Sequence, residues 1–258
     1  MSSVAASYNL GLKKSKGNVI IGMHADSTLP THFELSRLIA PLKDTLVVAT
    51  YSYVLHPIEI WNTYNFWEKC QHARLVEKKL SGMNGKFDAY RKSALRALHG
   101  FDDVNFKIDG DGNDADIYLR LKARGSVVLS EATVIHLHHL SPHYSLFAWI
   151  EKRRNLAILS GRLLKMYLYK LDIRGILSFT FRPLVAILPF IPGFTIFGII
   201  ALVIFAFSYT SKIFLTPTLW RNPRILILPF INIFLVYFES FWFIKTFLTH
   251  KVRVKKSL

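Results

Sequence analysis

Hydrophobic positions divide the chain into an amino-terminal part of short alternating elements and a carboxy-terminal part of long apolar runs. In the first part, a helix is predicted over 5–16, followed by a strand over 18–23 and a second strand over 45–53. The β-branched run Val19-Ile20-Ile21 is typical of a strand buried in a parallel sheet. An aromatic-rich helix is predicted over 59–79. This alternation favours an α/β fold.

The pattern continues with shorter elements and then changes period. A helix is predicted over 92–99 and another over 115–123, followed by two short strands over 126–129 and 133–137. A long basic amphipathic helix over 145–170 would lie at a membrane interface. The α/β region therefore gives way to segments suited to lipid.

Two apolar runs near the carboxy terminus are long enough to cross a bilayer. Residues 183–208 contain no charge, and residues 225–248 contain only Glu239 and Lys245. About 20 apolar residues span the hydrocarbon core as a helix, although prolines inside both runs would kink or shorten them. The alternative is a pair of core helices in a soluble protein. We expect a two-helix transmembrane hairpin.

Charge follows the same division. The net charge is +16, of which residues 1–143 carry +3 and residues 144–258 carry +13. Because the basic residues flank the apolar runs, they indicate attraction to anionic lipid and cytoplasmic flanks, with 209–224 on the other side. They do not form a separate nucleic-acid patch. We therefore predict three regions: an α/β domain over 1–143, an interfacial region over 144–182, and two membrane helices with a basic cytoplasmic tail over 183–258.

Three polar clusters could carry chemistry. His24 and Asp26 follow the first strand, where open α/β sheets bind ligands, although a loop aspartate that caps a helix is an alternative. Asp114 stands in the acidic segment 109–116 before a helix, where it could act as a general base or simply complement the helix dipole. His136 begins the run His136-Leu-His-His139, which suggests a metal ligand, an interfacial histidine or a core histidine.

Other features narrow the chemistry. The acidic segment does not fit a calcium loop, because the sixth and twelfth positions hold Asp114 and Arg120 instead of glycine and glutamate. The single cysteine, Cys70, excludes an internal disulfide and a cysteine-based zinc site.

The order of these segments resembles the family 2 glycosyltransferases, which have the GT-A nucleotide-diphospho-sugar transferase fold. The matching segments, in chain order, are Lys16-Gly-Asn-Val-Ile20, His24-Ala-Asp26-Ser27, Met83-Asn-Gly-Lys-Phe-Asp-Ala-Tyr-Arg91, Gly100-Phe-Asp102, Gly112-Asn-Asp114-Ala-Asp116 and His136. The resemblance covers roughly residues 5–160. A membrane hairpin after the catalytic domain is common in such enzymes.

The resemblance implies a membrane-bound inverting glycosyltransferase that moves a sugar from a nucleotide-diphospho-sugar to a glycan or lipid-linked acceptor, as in polysaccharide biosynthesis. Asp114 would be the catalytic base. Asp26, His24 and His136 would hold a divalent cation, Mn²⁺ or Mg²⁺. The donor would be bound by Asn9, Asp26 and Arg153.

Two departures from the family pattern shape further expectations. His24 and Asn113 stand where the family has acidic residues. The family's first strands, which bind the nucleotide base, have no counterpart before the His24-Ala-Asp26 segment. We therefore expect poor donor binding by the chain alone. Three explanations stay open: a truncated gene, half of a split enzyme whose partner chain supplies the missing amino-terminal half, or a degenerate copy. The alternative function is a non-catalytic membrane subunit, a split half or a pseudoenzyme.

Overall fold

The structure, a computed structural model, describes residues 3–106, 113–137 and 143–253, and it separates into two compact units. The first unit comprises Met1–Ile60, Leu75–His139 and Arg253–Leu258, and the second comprises Trp61–Arg74 and Leu140–Val252. Most of the acidic segment before Asp114, from Asp109 to Gly112, and the predicted histidines His138 and His139 lie outside the described residues.

A mixed five-stranded sheet organises the first unit. Its strands are β1 (Val19–Met23), β2 (Ser27–Thr28), β3 (Val47–Leu55), β4 (Phe87–Arg91) and β5 (Ser126–His136). The spatial order is β1-β4-β3-β5-β2. Only β3 and β5 pair in parallel among these strands, and the other three pairings are antiparallel. The α/β prediction is therefore confirmed for this unit.

The first strand differs from its prediction. β1 lies at the edge of the sheet and pairs antiparallel with β4, so the predicted buried parallel strand is wrong. Val19, Ile21 and Met23 are exposed on one face of this strand. A run of β-branched residues gives no information on how many neighbours a strand has, and here it has one.

Helices cover both faces of the central strands. In chain order the first helices are α1 (Val4–Lys14), α2 (Glu34–Ile39), α3 (Ile58–Thr63), α4 (Phe66–His72), α5 (Lys92–Ala97) and α6 (Asn113–Lys122), of which α4 belongs to the second unit. On one face, Leu12 of α1 and Ile117 and Leu121 of α6 pack in one cluster with Ala49 and Tyr90. On the opposite face, Leu38 of α2 belongs to a separate cluster with strand residues of β3, β4 and β5.

The predicted helix over 59–79 is divided in the structure. The Asn65 side chain accepts hydrogen bonds from the backbone N–H groups of Trp67 and Glu68, and Glu68 Oε2 accepts one from the Asn65 N–H. This reciprocal arrangement is a capping box, which begins a new helix at Phe66. The chain therefore forms two short helices where the aromatic pattern predicts one.

The secondary-structure elements described in the second unit are all helices. Besides α4 it contains α7 (Leu146–Tyr167), α8 (Ile173–Ile187), α9 (Thr195–Ser208), α10 (Ser211–Phe214) and α11 (Arg224–Thr249). Two segments are long and apolar enough to cross a membrane by length and composition: Ile173–Phe190 and Arg224–Thr249. The second of these matches the predicted run over 225–248.

The apolar run over 183–208 does not form one helix. A 3₁₀ turn at Leu188–Phe190 ends the first helical segment, and Gly193 takes a left-handed conformation with φ of 82° before α9 begins. A proline removes a helical donor and a glycine permits positive φ, which explains the break. The candidate spanning segment therefore starts ten residues earlier than the uncharged run, at Ile173.

The longest helices of this unit, α7 and α11, touch at a glycine. A Cβ atom on Gly161 would lie 2.4 Å from the backbone oxygen of Phe243. Small residues permit such close approach between helix backbones. Gly161 thus sets the separation of α7 and α11 at this crossing.

We expect Gly161→Ala to destabilise the protein by about 1–3 kcal/mol, because a backbone oxygen cannot rotate away and the helices must separate. Thermal unfolding of the full chain in detergent would measure this as a lower midpoint. Gly11→Ala is the control, since a Cβ there meets nothing within 4 Å. An equal midpoint for Gly161→Ala and the wild type would show that the crossing is not close.

Candidate functional site

Strand pairing brings Asp26 beside His136. Ser27 of β2 stands opposite His136 of β5, and the Leu137 N–H donates to the Asp26 carbonyl at 2.8 Å. The Asp26 Oδ2 atom lies 3.1 Å from His136 Nε2. Two residues that are 110 positions apart in the sequence therefore share one edge of the sheet.

His24 completes a three-residue group with these two side chains. Its Nδ1 atom lies 3.9 Å from Asp26 Oδ1, and the ligand atoms of His24, Asp26 and His136 all fall within 4.8 Å of one another. His136 is buried, and the other two residues are partly exposed. This group could hold a divalent cation. Two imidazole nitrogens and one carboxylate suit Mn²⁺ better than Mg²⁺, which prefers oxygen ligands.

Burial keeps the imidazoles of His56 and His136 neutral. The ring of His56 packs edge-on against His136, with centroids 5.5 Å apart. Burial and then the positive charge of Lys86 lower the pKa of both His56 and His136 to about 4. A neutral imidazole retains the lone pair that a metal ion requires.

Asp114 lies close to His24 at Gly85. A Cβ atom built on Gly85 would lie 3.0 Å from Asp114 Oδ1, 3.1 Å from the Tyr8 hydroxyl and 3.3 Å from His24 Nε2. Gly85 has a φ of 72°, so it needs glycine for its conformation as well as for space. The first turn of α6, the end of β1 and the helix α1 therefore converge on one glycine.

Tyr8 is a member of this site that the sequence did not indicate. Its hydroxyl donates to the Gly85 carbonyl at 3.1 Å. Burial, followed by the negative charges of Asp114 and Asp88, raises the pKa of Tyr8 well above its usual value. The phenol thus remains a hydrogen-bond donor beside the Asp114 carboxylate. Tyr8 occurs in an ordinary amphipathic helix pattern, so no sequence signal distinguishes it.

Asp88 holds the turn that carries Gly85. Its Oδ2 accepts hydrogen bonds from the backbone N–H groups of Asn84 and Gly85, at 3.2 and 2.7 Å, and from the Tyr90 hydroxyl at 3.2 Å. The side chain is completely buried, and burial raises its pKa to about 6. Within the described part of the chain its Oδ1 has no hydrogen-bond partner. The Asn84-Gly85 pair indicates a turn, but the sequence does not show which carboxylate secures it.

The turn also supplies a cation. The carbonyl of Lys86 accepts a hydrogen bond from the His24 N–H at 3.3 Å, which ties the turn to the end of β1. Burial is the main cause of the lowered pKa of His56 and of His136, and the positive charge of Lys86 lowers both further. Lys86 is therefore positioned to attract an anion beside the His24, Asp26 and His136 group.

Asp116, two residues after Asp114, has a structural position. It is buried and pairs with Arg120, which also donates to the Leu98 and Gly100 carbonyls. This contact fastens α6 to the turn before it. Of the two described aspartates in the acidic segment, Asp114 is the one that faces Gly85.

The remaining predicted donor-binding residues have other contacts. The Asn9 amide forms two hydrogen bonds with the backbone of Phe101, at 3.0 and 2.8 Å, and therefore joins α1 to the Gly100 turn. Arg153 belongs to the second unit, where its guanidinium bonds both carboxylate oxygens of Glu239 at 2.8 Å. The structure thus gathers Asp114, His24, Asp26 and His136 and places Asn9 and Arg153 in separate contacts.

Comparison with known proteins gives a structural relationship and no sequence relationship. No protein-family model and no curated protein sequence matches the chain. Among solved structures, the chain is similar to a mannosyltransferase from Pyrobaculum calidifontis, whose structure contains GDP-Man and Mn²⁺. The two share 14% identity with a TM-score of 0.50, over 96% of this chain and 67% of the other. The chain therefore has a glycosyltransferase-like fold.

We predict that Asp88→Asn gains stability over the wild type as pH rises. In the folded protein the pKa of Asp88 is about 6, above the ordinary value of 3.8. Between pH 3.8 and about pH 6, Asp88 is therefore protonated in the folded protein and ionised in the unfolded chain. The wild type therefore loses stability across that interval, whereas the amide of the variant stays neutral. The difference should grow by up to about 3 kcal/mol between about pH 4 and pH 6.

Urea unfolding of both proteins across that pH range would measure the difference. His56 and His136 change the free energy of unfolding in the opposite direction with pH. Because the wild type and Asp88→Asn share these histidines, their contribution cancels in the difference between the two proteins. The exposed Asp44→Asn is the control for loss of one carboxylate. A constant difference between Asp88→Asn and the wild type would contradict the burial of an ionisable Asp88.

Proposed function

We propose that the chain is a membrane-bound, metal-dependent inverting glycosyltransferase of the family 2 type. It would transfer a sugar from a nucleotide-diphospho-sugar to a glycan or lipid-linked acceptor. The observation that carries the proposal is the convergence at Gly85. Asp114 Oδ1 and His24 Nε2 both lie within 3.3 Å of the position that a Cβ atom on Gly85 would occupy. His24 belongs to the group with Asp26 and His136, so a candidate base stands next to a candidate metal site.

The chain's own residues have distinct roles in this reaction. Asp114, on the partly exposed first turn of α6, accepts the proton of the acceptor hydroxyl as that oxygen attacks the anomeric carbon. The bond to the nucleoside diphosphate breaks in the same displacement, and a single base is sufficient. Tyr8 stays protonated and fixes the Gly85 turn against which Asp114 lies.

The donor's diphosphate would be held by the group of His24, Asp26 and His136. His24, Asp26 and His136 would bind Mn²⁺, which neutralises phosphate charge and assists the departure of the diphosphate. Lys86 adds a positive charge in the same place. The fold similarity to a mannosyltransferase solved with GDP-Man and Mn²⁺ supports both the donor class and the ion. The two candidate membrane helices support attachment to a bilayer.

We expect Asp114→Asn to lower the transfer rate by about 10²–10⁴-fold, because an amide cannot accept the acceptor proton. Release of nucleoside diphosphate from GDP- and UDP-sugars, with Mn²⁺ and membrane-embedded full chain, would measure it. Asp44→Asn is the matched control, since its exposed side chain bonds only the Leu46 N–H among the described contacts. Full activity in Asp114→Asn would reject Asp114 as the base. A wild type that releases no nucleoside diphosphate would favour the alternative of a non-catalytic subunit, split half or pseudoenzyme.

We expect His136→Ala to weaken Mn²⁺ binding at least about tenfold, because one of three ligand side chains is lost. Electron paramagnetic resonance of free Mn²⁺ would give the affinity without any need for activity. His32→Ala is the control, because His32 is exposed and packs on Phe33 away from the group. Asp114→Asn should retain Mn²⁺ affinity. Unchanged binding in His136→Ala would remove this residue from the site.

A further inference from the structure

The second unit contains a cavity with an unusual charge. It has a volume of 290 Å³ and lies where α7, α8, α9 and α11 meet. Aromatic side chains form much of its wall. Its lining includes Phe179, Phe205, Phe243, Arg74, Arg182 and Glu239. We refer to it as the arginine cavity.

One carboxylate in this cavity serves several guanidinium groups. Glu239 Oε1 and Oε2 accept hydrogen bonds from Arg153, and Arg182 Nη1 lies 2.8 Å from Glu239 Oε2. Glu239 and Arg153 are both almost completely buried. Glu239 is the only acidic residue that lines the cavity in the part of the chain that the structure describes. Its charge is therefore already satisfied by Arg153, with Arg182 as an additional cation.

A third arginine joins the cluster. The guanidinium carbons of Arg74, Arg153 and Arg182 lie 4.8, 5.3 and 5.6 Å from the ring centroid of Tyr209. Three positive charges thus surround one aromatic ring and face one negative charge. Arg74 contacts the Tyr209 ring, and its guanidinium has no hydrogen-bond acceptor in the described contacts. The cluster has two excess positive charges, and the donors of the exposed Arg74 are accessible to a ligand.

An anion would balance this excess. Arginine presents a planar set of N–H donors that matches phosphate oxygens. The apolar residues around the arginines favour a phosphate attached to an apolar group over inorganic phosphate. The wall is rich in phenylalanine, and α8 and α11 belong to the two segments that are long and apolar enough to cross a membrane. A phosphate that carries an apolar tail could pair with the arginines through its charge and pack against the phenylalanines through its tail.

We propose that the arginine cavity binds the phosphate headgroup of an anionic membrane lipid, with Arg74 and Arg182 as its principal ligands. Arg182 is partly exposed and bonds Glu239 through Nη1, which leaves its other nitrogens for the phosphate. The lipid's acyl chains would lie along the apolar surface of α8, where Phe181 is exposed. This site is in a different unit from Asp114 and His136 and does not depend on the proposed transfer reaction.

Binding of dioctanoyl phosphatidic acid to the full chain in neutral detergent tests the proposal. Dioctanoylglycerol has the same tails without phosphate, and inorganic phosphate has the charge without tails. We expect phosphatidic acid to bind most tightly, and Arg74→Gln to weaken its binding about tenfold. Arg74→Gln should fold, because the wild-type side chain donates no hydrogen bond that the structure describes. Titration followed by native mass spectrometry would give the affinities.

Arg224→Gln is the matched control, since Arg224 also lies over an aromatic ring, that of Trp67, but does not line the cavity. It should bind phosphatidic acid as the wild type does. Equal binding of phosphatidic acid and dioctanoylglycerol would overturn the proposal, because the headgroup would then contribute nothing. Equal binding of inorganic phosphate would reject a lipid as the ligand. Unchanged affinity in Arg74→Gln would reject this cavity as the site.

Discussion

The turn at Asn84–Lys86 is the constraint on which the arrangement of the candidate site depends. Buried Asp88 fixes it through two backbone N–H groups, and the Lys86 carbonyl joins it to His24. Gly85, in the middle of this turn, is the point at which Asp114, Tyr8 and His24 meet. Any side chain at this position would separate the carboxylate from the histidine. The arrangement of the candidate site therefore depends on Gly85, both for the space it leaves and for its positive φ.

Sequence reasoning predicted the strand ends and the helix start that carry the candidate site. Asp26 follows a strand and Asp114 begins a helix, and both positions are recognisable because polar residues there interrupt a strong apolar pattern. The sequence could not reveal Tyr8 or Asp88. Their roles come from contacts across about 80 positions for Tyr8 and from burial for Asp88, and neither leaves a local pattern.

The failures of prediction also have physical causes. The edge position of β1 depends on strand order, which a run of β-branched residues does not encode. The division of the predicted helix over 59–79 depends on the capping box between Asn65 and Glu68, which an aromatic pattern does not encode. In the second unit, the resemblance implied donor binding by Arg153, and the sequence does not show that the fold pairs this residue with Glu239.

We propose that His24, Asp26 and His136 form one metal site beside Asp114. Anomalous diffraction at the manganese edge, from crystals of the full chain grown with Mn²⁺, tests it most directly. We expect one strong peak bonded to those three side chains, with the Asp114 carboxylate next to it. A manganese peak on other residues, or no peak at this group when Mn²⁺ is abundant, would contradict it.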